Sequence, residues 1–201
     1  FHTTEPGKEL TPAPRFVTEN ASTHPKMPFY FSQNRWKIVS GQRTIEASLC
    51  LITGCFMNDA IQQLLDNIDI QARETATLTG RDSFAPKVMQ ALAAASRADF
   101  VPAKARALAY SNAPLALGFG QTISQPYIVA LMTDLLDLEP RHTVLEIGTG
   151  SGFQTAVLAR LAGQIVSIER IAELADKARA RLQDMGYTNV TVHQGNGYLG
   201  W

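Results

Sequence analysis

A dense run of glycines follows an acidic residue in the stretch formed by residues 144–152. The acid is Glu146, and the glycines are Gly148, Gly150 and Gly152. A short apolar run precedes them, and a helix-like stretch over residues 153–162 follows. Glycine lets the backbone turn sharply and approach a ligand closely, because it carries no Cβ. The stretch predicts a nucleotide-binding turn between a strand and a helix; the alternative is a plain strand–turn–helix without a ligand.

The spacing of these glycines distinguishes between kinds of nucleotide. Dinucleotide folds read G-x-G-x-x-G and place a pyrophosphate on the helix N-terminus. Here the spacing is G-x-G-x-G, and Glu146 stands just before the first glycine. A carboxylate beside the loop would repel a pyrophosphate, whereas it would attract a ligand that carries an ammonium group. The pattern therefore favours the amino-acid end of S-adenosylmethionine.

A second acid, Glu169, stands at the end of the next strand-like run, residues 164–168. An ionised carboxylate offers two acceptor oxygens and can accept both hydroxyls of a ribose. The amphipathic stretch 171–185 follows at once, and a helix dipole also favours an acid at its start, so both roles stay open. A third strand-like run, 189–193, then leads into a glycine-containing turn. This alternation predicts a parallel sheet with right-handed crossovers and a ligand at the carboxyl ends of its strands.

Composition narrows the classes of partner. The chain has 201 residues, a formal net charge of +0 and 45% hydrophobic residues, which is enough for one domain with a core. A neutral balance without basic runs disfavours nucleic acid, and no apolar stretch is long enough to cross a membrane. Cys50 and Cys55 lack partners at metal-ligand spacing, so no metal is expected. We therefore expect neither a nucleic-acid nor a membrane partner.

The chain divides into a proline-rich beginning and a patterned remainder. Residues 1–56 show no helical or strand period and are expected to form a poorly ordered extension, with Met57 as the hypothesised natural start. Residues 57–201 are expected to form the domain, with a helical and loop part at 57–140 and a cofactor-binding part at 141–201. Helices are predicted at 58–78, 85–96 and 126–138. An extended element is predicted at 97–102 and a loop at 110–125.

Two segments together resemble one family. Residues 118–127 read GFGQTISQPY and residues 144–155 read VLEIGTGSGFQT, and the pair closely resembles the protein-L-isoaspartate O-methyltransferases. Residues 97–102, which read RADFVP, also fit the family's pattern. The resemblance covers about residues 58–201. It implies an α/β, Rossmann-like, S-adenosylmethionine-dependent methyltransferase fold, whose parallel sheet has more strands than the three readable here, preceded by N-terminal helices.

The resemblance implies a repair enzyme. Such enzymes transfer a methyl group from S-adenosylmethionine to the α-carboxylate of L-isoaspartyl residues in damaged proteins and peptides, and release S-adenosylhomocysteine. A carboxylate has a pKa near ~4 and is already ionised at neutral pH, so no general base is needed. The resemblance further implies isoaspartyl proteins and peptides as substrates, a cytoplasmic location, no metal, and a monomer when full length.

The resemblance also implies roles for individual residues. Ser124 resembles the family's active-site serine, expected to orient the substrate carboxylate as a hydrogen-bond donor; the alternative is a helix cap before Pro126. Asn196 takes a place where many relatives carry Asp, and its one acceptor oxygen can still serve the adenine amino group. The residues expected to border or hold the cofactor are Gln121, Thr122, Ile123, Tyr127, Glu146, Gly148, Thr149, Gly150, Ser151, Gly152, Glu169, Asn196 and Gly197.

The chain ends at Trp201, after the third predicted strand. A parallel sheet of this kind buries both faces, so three strands alone would leave apolar faces and an edge exposed. We therefore expect a fragment that is unstable and inactive by itself. Two further interpretations stay open: another Rossmann-like methyltransferase that acts on a small molecule or nucleic acid, and a non-catalytic fragment that binds the cofactor.

Overall fold

The computed structural model describes the backbone of residues 29–32, 35–40 and 43–200 and the side chains of residues 59–200. The chain divides into two compact units, Phe1–Asp59 and Ala60–Trp201. The expected extension, residues 1–56, falls in the first unit, and its residues 1–28 lie outside the described residues. Its expected disorder stays a prediction.

Three short strands form an antiparallel sheet in the first unit. They are β1 (Phe29–Ser32), β2 (Arg35–Ser40) and β3 (Arg43–Ser48), in the order β1-β2-β3. The register pairs Ile38 with Phe29 on one side and with Ile45 on the other. These three strands were not predicted, because each run of alternating residues is too short to show a clear strand period. The side chains of these strands, and those of Cys50 and Cys55, lie outside the described residues.

Three helices precede the parallel sheet. They are α1 (Leu49–Thr79), α2 (Pro86–Ala94) and α3 (Pro126–Leu135). Along α1 the residues Leu64, Ile68 and Ala72 are buried at intervals of four, which places them on one helical face. A proline opens α2 and α3, where its missing N–H costs nothing. The three predicted helices are confirmed with shifted ends. None of the helices over the described residues is long and apolar enough to span a membrane.

A three-stranded parallel sheet lies within residues 141–201, the part of the chain for which cofactor binding is predicted. Its strands are β6 (Thr143–Ile147), β7 (Gln164–Glu169) and β8 (Val190–Gln194), in the order β6-β7-β8. Helices α4 (Phe153–Ala159) and α5 (Ala172–Asp184) connect them. The central strand β7 buries all its residues except Gln164, as expected for a strand covered on both faces. On β6, Leu145 and Ile147 are 45% and 56% exposed. The register aligns the carboxyl ends of the strands, which confirms the predicted Rossmann-like core.

The segment between α2 and α3 differs from its prediction. The extended element predicted at 97–102 is wrong, since 3-10 turns occupy Arg97–Asp99 and Ala103–Leu108. The loop predicted at 110–125 contains a hairpin formed by β4 (Leu115–Gly118) and β5 (Gln121–Ile123). Phe119 and Gly120 occupy its turn with φ of 54° and 70°. Positive φ at both central residues is typical of the type I′ turn, which suits the twist of a hairpin. The prediction of a loop throughout residues 110–125 is therefore wrong for the hairpin strands.

A buried arginine holds this segment in place. Arg97 is 1% exposed, and its guanidinium lies 5.8 Å from the centre of the Phe153 ring. Burial lowers the pKa of Arg97 to about 10, so it is a cation at neutral pH. Its two terminal nitrogens donate hydrogen bonds of 2.7–3.1 Å to four backbone carbonyls, those of Ala109, Ser111, Ala113 and Ser124. One side chain therefore fixes both ends of the segment that contains the hairpin.

Replacing Arg97 by methionine should lower the free energy of unfolding by about 2–4 kcal/mol, because buried carbonyls lose their donors. Urea unfolding followed by circular dichroism measures this. The matched control is Arg106→Met at a neighbouring exposed position, where a change within about 0.5 kcal/mol is expected. Equal effects of the two substitutions would contradict the role assigned to Arg97.

Candidate active site

The glycine loop between β6 and α4 adopts a left-handed backbone at each predicted glycine. The φ angles are 94° at Gly148, 56° at Gly150 and 89° at Gly152. Other residues rarely adopt such angles, so the sequence needs glycine here for conformation. Gly152 is also close to α5, since a Cβ at this position would lie 3.2 Å from Leu182 Cδ1. The predicted strand–turn–helix is thus confirmed as a tightly wound loop.

Glu169 anchors this loop from the neighbouring strand. Its Oε2 accepts a hydrogen bond of 2.9 Å from the Gly150 N–H, and its Oε1 accepts one of 2.9 Å from the Ile171 N–H. The second bond confirms one of the two roles predicted for Glu169, that of an acid at the start of a helix. Each carboxylate oxygen retains a further lone pair, so ribose hydroxyls can still donate to it. The ribose role stays a prediction.

Glu146 lies beneath the loop in a network of hydroxyl groups. It is 8% exposed, and its Oε2 accepts hydrogen bonds of 2.6 Å from Thr155 Oγ1 and from Ser167 Oγ. Thr149 Oγ1 lies 2.5 Å from Ser167 Oγ. Because the Ser167 proton points to Glu146, Thr149 is the donor in that contact. The Glu146 Oε1 is buried and has no hydrogen-bond partner among the described residues.

The charge of Glu146 depends on its burial. Desolvation raises the pKa of this carboxyl from 4.5 to about 7, the hydrogen bonds from Ser167 and Thr155 oppose the shift, and the charge of Glu169 adds to it. Glu146 is therefore poised between its two protonation states near neutral pH. A positively charged group bound beside it would favour the ionised form.

A small, open cleft separates the glycine loop from the start of α3. It contains seven of the predicted site residues, namely Thr122, Ile123, Ser124, Gly148, Thr149, Gly150 and Ser151. Val129, Phe153 and Gln154 complete its lining and were not predicted. Ser124 is exposed at this cleft, whereas the cap position of α3 is Gln125, without a side-chain cap bond. The alternative role of Ser124 as the helix cap is therefore wrong.

Other predicted residues lie away from this cleft. Gln121 is exposed on β5. Tyr127 is 3% exposed in the core, with its hydroxyl 2.6 Å from Thr75 Oγ1 and its ring centre 5.9 Å from that of Phe84. The position of Tyr127 in the sequence motif could not show that its side chain is buried in the core, because neighbouring residues in the first turn of a helix point to different sides.

Asn196 and Gly197 follow β8, beside the end of β6. Asn196 Oδ1 accepts a hydrogen bond of 3.2 Å from the Tyr198 N–H. A Cβ on Gly197 would overlap with Ile147 Cγ2, so a larger residue at this position would force the Ile147 side chain to move. The two residues therefore lie at the carboxyl edge of the sheet, where the adenine was expected.

A second and larger cleft, of about 240 Å³, shares Gly150 and Ser151 with the first. Arg181 of α5 donates a hydrogen bond of 2.7 Å to the Ser151 carbonyl, which ties this helix to the glycine loop. Burial lowers the pKa of Arg181, and the charge of Asp99 opposes that shift. The remaining lining residues are Phe100, Pro102, Leu117, Leu174 and Lys177. This cleft was not predicted, because its lining residues come from four segments that are separate in sequence.

Metal ligands do not cluster among the residues whose side chains are described: no group of three His, Cys, Asp or Glu could hold an ion there. The polar groups that line the clefts include the side chains of Ser124, Thr149 and Arg181.

Fold and site together define the class. Strand β6 contains the acid Glu146 and leads into a glycine loop with left-handed backbone angles. The neighbouring strand β7 ends in Glu169, which binds this loop through the Gly150 N–H. This arrangement is a Rossmann-like methyltransferase core. The sequence model of the protein-L-isoaspartate(D-aspartate) O-methyltransferases matches residues 78–201. The chain belongs to this family.

Individual relatives agree with this assignment. Protein-L-isoaspartate O-methyltransferase 2 of Nitrosococcus oceani is 52% identical over 140 residues, which are 70% of this chain and 64% of that protein. The protein of the same name from Syntrophobacter fumaroxidans is 50% identical over 139 residues, which are 69% of this chain and 56% of that protein. The chain thus spans less than two thirds of the length of these relatives.

A solved structure supports the fold. It is that of a protein-L-isoaspartate O-methyltransferase from Plasmodium falciparum, described as putative and in complex with S-adenosyl-L-homocysteine. Its TM-score is 0.54 at 19% identity, over 68% of this chain and 63% of that one. At this identity the likeness concerns the fold alone.

The raised pKa of Glu146 predicts how stability depends on pH. The folded state binds the Glu146 proton more tightly than the unfolded state does. The contribution of this group to the free energy of unfolding is therefore fully present below pH 4.5 and is lost as the pH rises through about 7. The loss should approach about 3 kcal/mol. Urea unfolding across this window should show a flatter profile for Glu146→Gln than for the exposed control Glu173→Gln. Identical profiles would exclude Glu146 as the source.

Proposed function

We propose that this chain supplies the cofactor-binding and acceptor-orienting part of an S-adenosylmethionine-dependent enzyme that methylates isoaspartyl carboxylates in proteins and peptides. The observation that carries the proposal is that Ser124 and the glycine loop line one cleft. A hydroxyl donor and a loop for the methyl donor within one cleft suit a reaction that needs alignment rather than a general base.

The cofactor is proposed to lie along the carboxyl edge of the sheet. Its methionine part would meet the loop above Glu146, its ribose would meet Glu169, and its adenine would lie near Asn196. The order β6-β7-β8 places these residues at the ends of neighbouring strands, which supports the assignment. The sulfonium and ammonium groups of S-adenosylmethionine are cationic, and Glu146 and Glu169 are buried carboxylates close to the loop. Charge complementarity therefore favours this ligand.

The acceptor is proposed to be an anion held by Ser124. Phe153 lines the same cleft. The buried guanidinium of Arg97 lies 5.8 Å from the centre of the Phe153 ring. The four hydrogen-bond partners of Arg97 are neutral carbonyls, which leave its charge in place. A buried cation close to the cleft attracts a carboxylate through a medium of low dielectric constant. The Ser124 hydroxyl then directs one carboxylate oxygen toward the methyl group.

Two measurements test the proposal against its alternatives. The first is transfer of a labelled methyl group from S-adenosylmethionine to an isoaspartyl peptide, compared with the aspartyl twin of that peptide. Labelling of the isoaspartyl peptide alone supports the proposal; labelling of both peptides, or of RNA in their place, contradicts it. The second is titration with S-adenosylhomocysteine. Binding without transfer favours the non-catalytic cofactor-binding fragment.

In the enzyme of which this chain is proposed to supply a part, Ser124→Ala should slow methyl transfer about ten- to hundredfold, because a hydrogen bond to a charged group contributes about 1.5–3 kcal/mol. The measurement is kcat/KM for the isoaspartyl peptide, with the Kd for S-adenosylhomocysteine as a second readout that should not change. Ser83→Ala, at an exposed position outside the clefts, is the matched control. An unchanged kcat/KM in Ser124→Ala would refute the orienting role.

Glu169→Ala should weaken S-adenosylhomocysteine binding about ten- to hundredfold, because the ribose loses a charged acceptor and the Gly150 N–H loses its partner. Isothermal titration calorimetry gives this Kd, and the KM for the peptide should change less. Glu173→Ala, exposed on the first turn of α5, serves as the control. Equal losses in cofactor and peptide affinity would argue against the ribose role.

We further propose that the protein is a cytoplasmic monomer whose partners are damaged polypeptides rather than nucleic acid. Light scattering and cell fractionation test the first two statements. The neutral net charge supports the third, because a nucleic-acid surface is ordinarily basic.

A further inference from the structure

The turn after β8 contains an asparagine followed by a glycine. Asn196 is exposed, and Gly197 begins a short 3-10 turn that ends at Leu199. An Asn-Gly pair is chemically labile, because a glycine leaves its own backbone nitrogen unshielded and its backbone free to rotate. The proposed adenine contact therefore coincides with a reactive site.

The reaction is intramolecular. The Gly197 nitrogen attacks Asn196 Cγ, the new N–Cγ bond forms as the Cγ–Nδ2 bond breaks, and the amide leaves as ammonia with the proton of the Gly197 N–H. Water then opens the resulting succinimide at either carbonyl. One opening yields aspartate, and the other yields isoaspartate, in which the backbone runs through the side-chain methylene.

The other asparagines with described side chains are protected from this step. Asn112 donates to Gln71 Oε1 and accepts from the Tyr127 N–H, and Asn189 donates to the carbonyls of Ala159 and Ala162. Those bonds hold each carboxamide away from the following nitrogen. Asn67 lies within α1, whose regular hydrogen bonds constrain the backbone.

Asn196 is held less firmly. Its carboxamide oxygen accepts a bond of 3.2 Å from the Tyr198 N–H, and its side chain lies in an exposed turn. Ring closure requires rotation about its ψ, which is 106° in the folded turn. A short 3-10 turn opens at low cost, so the folded state slows the reaction without preventing it.

The isoaspartyl product would disturb the carboxyl edge of the sheet, where the cofactor is proposed to bind. Gly197 lies so close to Ile147 that a single Cβ on the glycine would overlap with Ile147 Cγ2. Ile147 is the last residue of β6 and directly precedes Gly148 of the glycine loop. An additional backbone methylene at position 196 shifts Gly197 against this side chain, whereas the aspartyl product leaves the backbone unchanged.

We propose that Asn196-Gly197 is a spontaneous deamidation site, and that its isoaspartyl product weakens cofactor binding at the adjoining edge of the sheet. The second half of this proposal rests on the proposed function; the first half is independent of it.

Mass spectrometry of the aged chain tests the first half. The purified chain is incubated at mildly alkaline pH and 37 °C, and peptides containing each asparagine are compared over time. We expect amide-to-acid conversion at Asn196 to exceed that at Asn112 and Asn189 by about tenfold or more, with isoaspartate as a product. Asn196→Gln should abolish conversion at this position, because its ring closure is slower. Conversion at Asn196 no faster than at Asn112 and Asn189 would overturn the proposal.

Titration with S-adenosylhomocysteine tests the second half. The aged chain should show a Kd about tenfold weaker in its isoaspartyl fraction than the fresh chain, equivalent to about 1.4 kcal/mol. Asn196→Asp reproduces the aspartyl product and should lose less affinity, while aged and fresh Asn196→Gln should agree. Equal affinity of aged and fresh wild-type chains refutes the effect on binding. A fresh chain that does not bind refutes the proposed function instead, and the mass measurement still decides the deamidation.

Discussion

The hydrogen bond from the Gly150 N–H to the Glu169 carboxylate joins the glycine loop to the central strand. The same carboxylate accepts from the Ile171 N–H and so positions the start of α5. Since α5 in turn contacts the loop through Arg181 and Leu182, the loop, the strand and the helix constrain one another. Both clefts are lined by Gly150 and Ser151, so their shapes depend on this one carboxylate.

Arg97 plays the corresponding part on the acceptor side. Its bonds to four carbonyls hold the hairpin segment and the backbone of Ser124, while its charge stays buried beside Phe153. The site thus contains two buried carboxylates near the loop and one buried cation near the acceptor residue. In the proposed reaction this distribution favours a cationic methyl donor on one side and an anionic acceptor on the other. The Arg97 cation is in place before either ligand binds, whereas a bound cationic donor would favour the ionised form of Glu146.

Much of the fold followed from local patterns. The parallel strands, α4 and α5 were predicted because apolar periodicity and glycine spacing act over a few residues. The hairpin at residues 115–123 and the 3-10 turns after α2 were missed, because a glycine-rich type I′ turn and short 3-10 turns leave little periodic signal. Among the predicted site residues, Gly148, Gly150 and Ser124 line one cleft, whereas Tyr127 belongs to the core; the binding roles of the cleft residues stay predictions.

The sequence by itself determined the glycine loop, its two acids and the family, since each depends on residue types at close spacing. Only the tertiary structure decided what those acids do to the loop and to each other. Burial raises the pKa of Glu146, and the hydrogen bond from Ser167, which is distant in sequence, opposes that shift. Glu169 meets Gly150 only through the pairing of β6 with β7. The role of Arg97 likewise appears when residues 109–124 fold over it. Desolvation and long-range hydrogen bonds arise from contacts between distant segments, and local spacing carries no record of them.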